Sequence, residues 1–242
     1  MSKIIYRVLD FFEAFAAEKR PLVLTELAKV LDIPASSCHT ALRAMTERGY
    51  LYELKPRGGF YPTARLLGVA QAIVNSDPVL TRVEPALRKL LNETGESVFL
   101  AKAEGFSLTY LAVFHGDAQM RLTIQPGDHV RNLYASSGGK ALLGSFGEPA
   151  RREALDSLAM EPLTPNTMTS KTKLLKDIEQ SKKRGWYLNQ EETLEDTVTI
   201  SVPFTLNSSV YVITIAGLLK PMTRKREVVT EALLRAAREL ND

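Results

Sequence analysis

The segment ASSGGKALLG, residues 135–144, sets two serines, two glycines and a lysine at what reads as the start of a helix. Three chemistries use strings of this kind. Ser137-Gly138-Gly139-Lys140 has the Ser-x-x-Lys spacing of acyl-transfer enzymes such as β-lactamases, in which a lysine one turn on helps to activate the serine. Glycines ahead of a lysine also build phosphate loops. A helix start with free backbone N–H groups can instead cradle the carboxylate of a small acid and do no chemistry.

The companions that the first two need are missing. No Ser-Asp-Asn occurs, and the nearest approach to Lys-Thr-Gly is KTK at 171–173. A phosphate loop needs an earlier glycine and a Ser or Thr after the lysine, where this chain has Tyr134 and Ala141. Glu191 and Glu192 suggest paired carboxylates, but neighbours on a strand point to opposite faces and cannot share one glycosidase cleft. The cradle is the reading that the local residues favour, with Lys140 expected to reach a neighbouring acid or water and Tyr110 to pack within its sheet.

Composition bounds the rest. The chain has 242 residues, 45% hydrophobic and 24% charged, enough for two domains. One cysteine, Cys38, excludes an internal disulfide, and His39, His115 and His129 have no zinc-site spacing, so neither metal nor cofactor is expected. No apolar run of about 18 residues could span a bilayer, and MSKIIYRVLDFFEAF carries acids where a signal peptide is uninterrupted and apolar. The expectation is a cytoplasmic protein with no membrane partner. The net charge of +3 is localised: residues 1–65 hold ten Lys/Arg against seven Asp/Glu, and the remainder holds 21 of each. That fits a polyanion-binding module on a neutral body.

In residues 1–65, Ile5, Val8, Leu9, Phe12 and Phe15 recur at helical spacing. Thr25 is a plausible N-cap for a second helix with Leu27, Ala28 and Leu31 inward. DIP at 32–34 breaks it, and a third helix follows with Cys38, Ala41, Leu42 and Met45 inward. That phase turns Ser36, Ser37, His39, Thr40 and Arg43 outward, side chains able to reach phosphates and base edges in a major groove. YLYEL, KPRGG and FYPT then read as a two-stranded wing with Lys55 and Arg57 at its tip. A three-helix packing unit without nucleic acid is the plainer alternative.

The rest predicts a linker helix over 66–77, interrupted by NSDP, and a body over 78–242. Its expected elements are an amphipathic helix with Val79, Val83, Leu87, Leu90 and Leu91 inward, strands at SVFLAKA, SLTYLAVF and QMRLTI, and helices at about 138–145, 148–159 and 171–184. Strands at about 186–189, 198–205 and 210–217 precede a last helix with Val228, Val229, Ala232, Leu233, Ala236 and Leu240 inward. The fold class is α+β with a mostly antiparallel sheet.

Three segments, LTELAKVLDIPASSCHTALRAMTERGYL, LYASSGGKALLG and GWYLNQEETLEDTVTISVPF with VITIAG after it, resemble in order and spacing the IclR family of bacterial transcription regulators. The resemblance implies a winged helix-turn-helix, a linker helix and a GAF-like effector-binding domain. It implies a homodimer or homotetramer on double-stranded DNA at a palindromic operator, and a cytoplasmic repressor or activator. By position in the family pattern the effector pocket would take Leu122, Leu133, Ser136, Ser137, Gly138, Asn189, Thr197, Thr199, Thr214 and Ala216. Asn189 stands where many members have aspartate, Thr199 where cysteine is usual, and Asp196 where glycine is usual; in the DNA reader Thr40 and Ala35 replace a common arginine and lysine. The function expected is therefore regulation of transcription by a small carboxylate metabolite, with no enzymatic activity. The rivals are a metabolite sensor or scaffold without DNA, and acyl transfer by Ser137 and Lys140.

Overall fold

A computed structural model describes residues 3–54, 58–116 and 123–241, with side chains from residue 8 onward. Its contacts divide the chain into two compact units, 1–77 and 78–242.

In the first unit α1 (Lys3–Glu18), α2 (Leu24–Val30) and α3 (Ala35–Glu47) precede a two-stranded antiparallel wing, β1 (Leu51–Glu53) with β2 (Phe60–Pro62), and then α4 (Arg65–Asn75). Cys38, Leu42 and Met45 of α3 are buried with Phe11, Phe15, Leu22, Leu27 and Leu51, as the helical period requires. Burial pushes the Cys38 thiol up from its ordinary value, which suits a core residue rather than a reactive one.

Two local expectations shift. α1 buries Phe11, Ala14 and Phe15 while Val8 and Leu9 are exposed. The helix carries two apolar faces one residue out of phase, and the neighbours available to pack against them select the second. Thr25 lies inside α2 rather than capping it; the Glu26 carboxylate accepts the Val23 N–H at 3.0 Å and does the capping from the third helical position. Gly49, at φ 74°, stops α3 as its freedom at positive φ allows.

The second unit is a five-stranded antiparallel sheet in the order β4-β3-β7-β6-β5. The strands are β3 (Ser97–Glu104), β4 (Ser107–Phe114), β5 (Tyr187–Gln190), β6 (Thr197–Leu206) and β7 (Ser209–Leu218). One face packs on α5 (Pro78–Thr94) and α10 (Arg226–Leu240) through Val98, Leu100, Ile200, Val202, Ile213 and Ile215. The other carries α6 (Ser137–Ser145), with α7 (Glu148–Ser157) and α8 (Lys171–Arg184) beside it. The period of two along β3, β6 and β7 makes this division. A short α9 (Leu219–Arg224), which no sequence signal announced, joins sheet to last helix. Within α10 the expected inward face is buried except for Val228, which is exposed.

Of the expected strand QMRLTI only Thr123 and Ile124 are described, and neither is extended in a sheet. Residues 127–130 lie beside β4 instead: Tyr110 N–H donates to Asp128 O at 2.9 Å and Val130 N–H to Leu108 O at 2.8 Å.

Candidate functional site

The residues expected to read DNA lie on α3. Ser36, Ser37, His39, Thr40 and Arg43 are all exposed, as its buried row demands. Two are already engaged within the helix. The Thr40 hydroxyl donates to Ser36 O at 3.0 Å, and Arg43 Nε lies 2.8 Å from Glu47 Oε1, which raises the Arg43 pKa chiefly through that hydrogen bond. Lys55 and Arg57 fall outside the described residues.

In the second unit a cavity of about 640 Å³ opens between the α6 face of the sheet and the segment 123–132. Ser136, Ser137, Gly138, Asn189, Thr197, Thr199, Thr214 and Ala216 all line it, which brings together eight of the ten effector residues expected from sequence. Leu133 does not. It is buried in the core beneath α6, where its backbone lies so close to Gly139 that a Cβ there would overlap it. Leu122 lies outside the described residues.

The serines act differently from a simple row of donors. Ser136 is the N-cap, its hydroxyl accepting the Gly139 N–H at 3.1 Å. The Ser137 hydroxyl is fully buried and lies 2.6 Å from that of Thr199 and 2.7 Å from that of Ser201; Ser201 in turn lies 2.7 Å from the Thr214 hydroxyl. Strand alternation and register put Thr199, Ser201 and Thr214 on one face of the sheet, against which α6 sets Ser137. The backbone N–H groups of Ser137 and Gly138 have no partner among the described residues, and they are two of the four orphans at a helix start. With the positive end of the helix they make a start that is chemically able to hold an anion.

α6 is held rigidly. Arg151 Nε donates to Leu143 O at 3.0 Å and Nη2 to Phe146 O at 2.8 Å, satisfying carbonyls at the C-terminal end of the helix, while Nη1 pairs with Glu179 at 2.5 Å. Gly144 faces the Tyr187 phenol, with no room for a Cβ.

The Ser-x-x-Lys reading meets a geometric obstacle. Lys140 is fully buried and gives its ammonium protons to Leu188 O at 3.1 Å and Glu192 Oε1 at 2.5 Å, with Asp177 Oδ2 also 3.1 Å away. The Ser137 hydroxyl bonds Thr199 and Ser201 instead. Nucleophile and base are therefore not paired as the chemistry requires. Among the described residues no group of three His, Cys, Asp or Glu could hold a metal ion.

Some lining residues were not anticipated. Phe99 and Tyr110, edge to face with ring centroids 5.9 Å apart, form an apolar wall. A β-bulge opposite Leu100/Ala101 puts Leu108 and Tyr110 on the cavity face while Ala112 and Phe114 pack towards α5. Burial first, and Asp128 second, push the Tyr110 phenol up to about 12, so it keeps its proton as a donor. Thr193 and Leu194 come from the β5–β6 turn, and residues 127–132 from the segment beside β4. Alternation in SVFLAKA places Phe99 with Ala101; nothing local signals the bulge.

Two family models match the chain: the IclR helix-turn-helix domain over residues 5–55, and the bacterial transcriptional regulator IclR C-terminal domain over 71–242. The HTH-type transcriptional regulator BhcR of Paracoccus denitrificans is 29% identical over 240 residues, covering 97% of this chain and 85% of the relative. The transcriptional repressor IclR of Escherichia coli is 28% identical over 190 residues, 77% of this chain and 68% of the relative. Among solved structures, the Thermotoga maritima IclR superposes with a TM-score of 0.75 at 20% identity over 99% of both chains. An IclR homolog from Microbacterium hydrocarbonoxydans complexed with 4-hydroxybenzoate gives 0.76 at 19% identity, over 98% of this chain and 99% of that one.

Proposed function

Because the chain belongs to the IclR family of bacterial transcriptional regulators, we propose that its C-terminal unit senses a small organic carboxylate and thereby changes how tightly its helix-turn-helix grips an operator. The observation that carries the effector reading is the pair of unpartnered N–H groups, Ser137 and Gly138, at the mouth of α6 in a cavity of about 640 Å³. The ligand's carboxylate sits on these amides, its body against Phe99 and Tyr110. The presence of 4-hydroxybenzoate in a structural relative supports an organic acid as the class of ligand. Occupancy shifts the operator equilibrium by no more than the ligand's differential affinity for the two states.

The operator contacts come from Ser36, Ser37, His39, Thr40 and Arg43, with Lys55 and Arg57 on the wing. A homodimer or tetramer on a palindromic site fits the exposed apolar residues of α4, where Leu67 and Ile73 are each 68% exposed and no residue is buried. The protein works in the cytoplasm with DNA; no helix among the described residues is long and apolar enough to cross a membrane.

The test is selection of duplexes from a random pool by the full chain at near-physiological salt, with and without a mixture of small carboxylates that includes 4-hydroxybenzoate. The expected result is a palindromic consensus whose enrichment changes with the acids. A consensus that no acid alters would overturn the carboxylate reading; no enrichment at all would overturn the operator reading as well.

A further inference from the structure

The residue of the opening string that the effector reading leaves unused is Lys140. Its ammonium does not border the cavity, yet it bridges two elements that do. Lys140 lies one turn after Ser137 in α6, and its partner Glu192 belongs to the turn between β5 and β6. The next two residues, Thr193 and Leu194, line the cavity, and so does Asn189 just before the turn.

That turn needs external support. Glu191 and Asp196 have φ of 58° and 57°, a left-handed conformation that costs free energy for residues other than glycine. Asn189 fastens the turn from within: its Oδ1 accepts the Glu192 N–H at 2.8 Å and its Nδ2 donates to Thr193 Oγ1 at 2.9 Å. From outside, the Thr164 and Thr167 hydroxyls donate to Glu191 O at 2.6 Å and Glu192 O at 2.7 Å. The link from the turn to α6 runs through Lys140.

The cluster is built for position rather than for stability. One buried ammonium faces two carboxylates, and Glu192 Oε2 and Asp177 Oδ2 make no hydrogen bond. Burial without full pairing seldom stabilises a fold, but a hydrogen-bonded buried charge fixes geometry.

We propose that Lys140 is a positioning residue for the effector cavity: through Glu192 it ties the β5–β6 turn to α6, so that the wall carrying Asn189, Thr193 and Leu194 and the anion-gripping helix start keep one register. This rests on the effector reading of the cavity, but the tie itself is a property of the free protein and is tested without a ligand.

The experiment is amide hydrogen exchange on the full chain, comparing wild type with Lys140→Met and with the triple variant Lys140→Met/Glu192→Gln/Asp177→Asn, in which all three side chains are uncharged. The triple variant leaves no uncompensated buried charge, so it separates loss of the tie from charge-driven unfolding. In it the amides of 189–197 are expected to exchange at least tenfold faster while α5 and α10 keep wild-type protection. Wild-type protection at 189–197, or a loss shared equally by α5 and α10, would overturn the proposal. As a second readout on the selected operator, the triple variant needs at least tenfold more of the active acid for the same response, with acid-free affinity within twofold. An unchanged acid requirement counts against Lys140 as well. Failure of every acid on the wild type is a failure of the carboxylate reading alone, and the exchange result still decides the tie.

Discussion

Arg43 Nε lies 2.8 Å from Glu47 Oε1, one turn further along α3, with both side chains largely exposed. To grip a base or phosphate the guanidinium must share or leave that partner. Arg43→Ala is expected to weaken sequence-specific binding by about 1–3 kcal/mol if Arg43 reads a base edge. Glu47→Gln should act oppositely, tightening binding at low salt, with the gain fading as screening increases. Operator titrations at several salt concentrations check both, and equal affinity of wild type and Arg43→Ala would remove Arg43 from the interface.

Ser137 is the hub of the buried hydroxyl chain, in contact with both Thr199 and Ser201. Ser137→Ala strands these partners and should cost about 1–3 kcal/mol in chemical denaturation. Ser137→Glu forces a negative charge into this buried chain beside the helix start, so it should abolish the response to acids and destabilise the second unit by more than Ser137→Ala does. A Ser137→Glu variant that responds normally would sink the cradle.

Gly144 meets the Tyr187 phenol where a methyl group has no space. Gly144→Ala should therefore destabilise the second unit by about 1–3 kcal/mol, against the helix-propensity gain of roughly 1 kcal/mol that alanine brings at an open helical site. Gly144→Ala combined with Tyr187→Phe should recover part of the loss, because the nearest clashing atom is the hydroxyl. A stabilised single variant contradicts the close approach.

Tyr110 and Tyr187 are both pushed to about 12, in each case chiefly by burial. A free tyrosine ionises near 10, so each contributes stability that is fully present below that pH and is lost as pH rises through about 12. Phenolate absorbance should show Tyr110 and Tyr187 titrating late. Tyr110→Phe should remove one of them, and an unchanged titration would place Tyr110 in solvent.

Much of this architecture was legible because it is periodic. The buried row Cys38, Leu42 and Met45 fixes by simple geometry which side chains of α3 face outward, and alternation along TVTISVPF divides Thr197, Thr199 and Ser201 from Val198, Ile200 and Val202. The cavity residues on β6 and β7 followed from the family resemblance.

The chain's order of residues by itself determined most of the helices and strands, the face that α3 and β6 present and the helix start where an anion can sit, since these depend on neighbours a few positions apart. Tertiary structure alone decided the rest. It chose Phe11 over Leu9 for the core, moved Leu133 out of the cavity by pressing its backbone against Gly139, and turned Tyr110 inward through a bulge. It also sent Lys140 to Glu192, 52 residues away, rather than to Ser137 three residues before it. Which of several possible partners a side chain takes is settled by close packing and by the cost of burying an unpaired charge, and both act between residues that only the fold brings together.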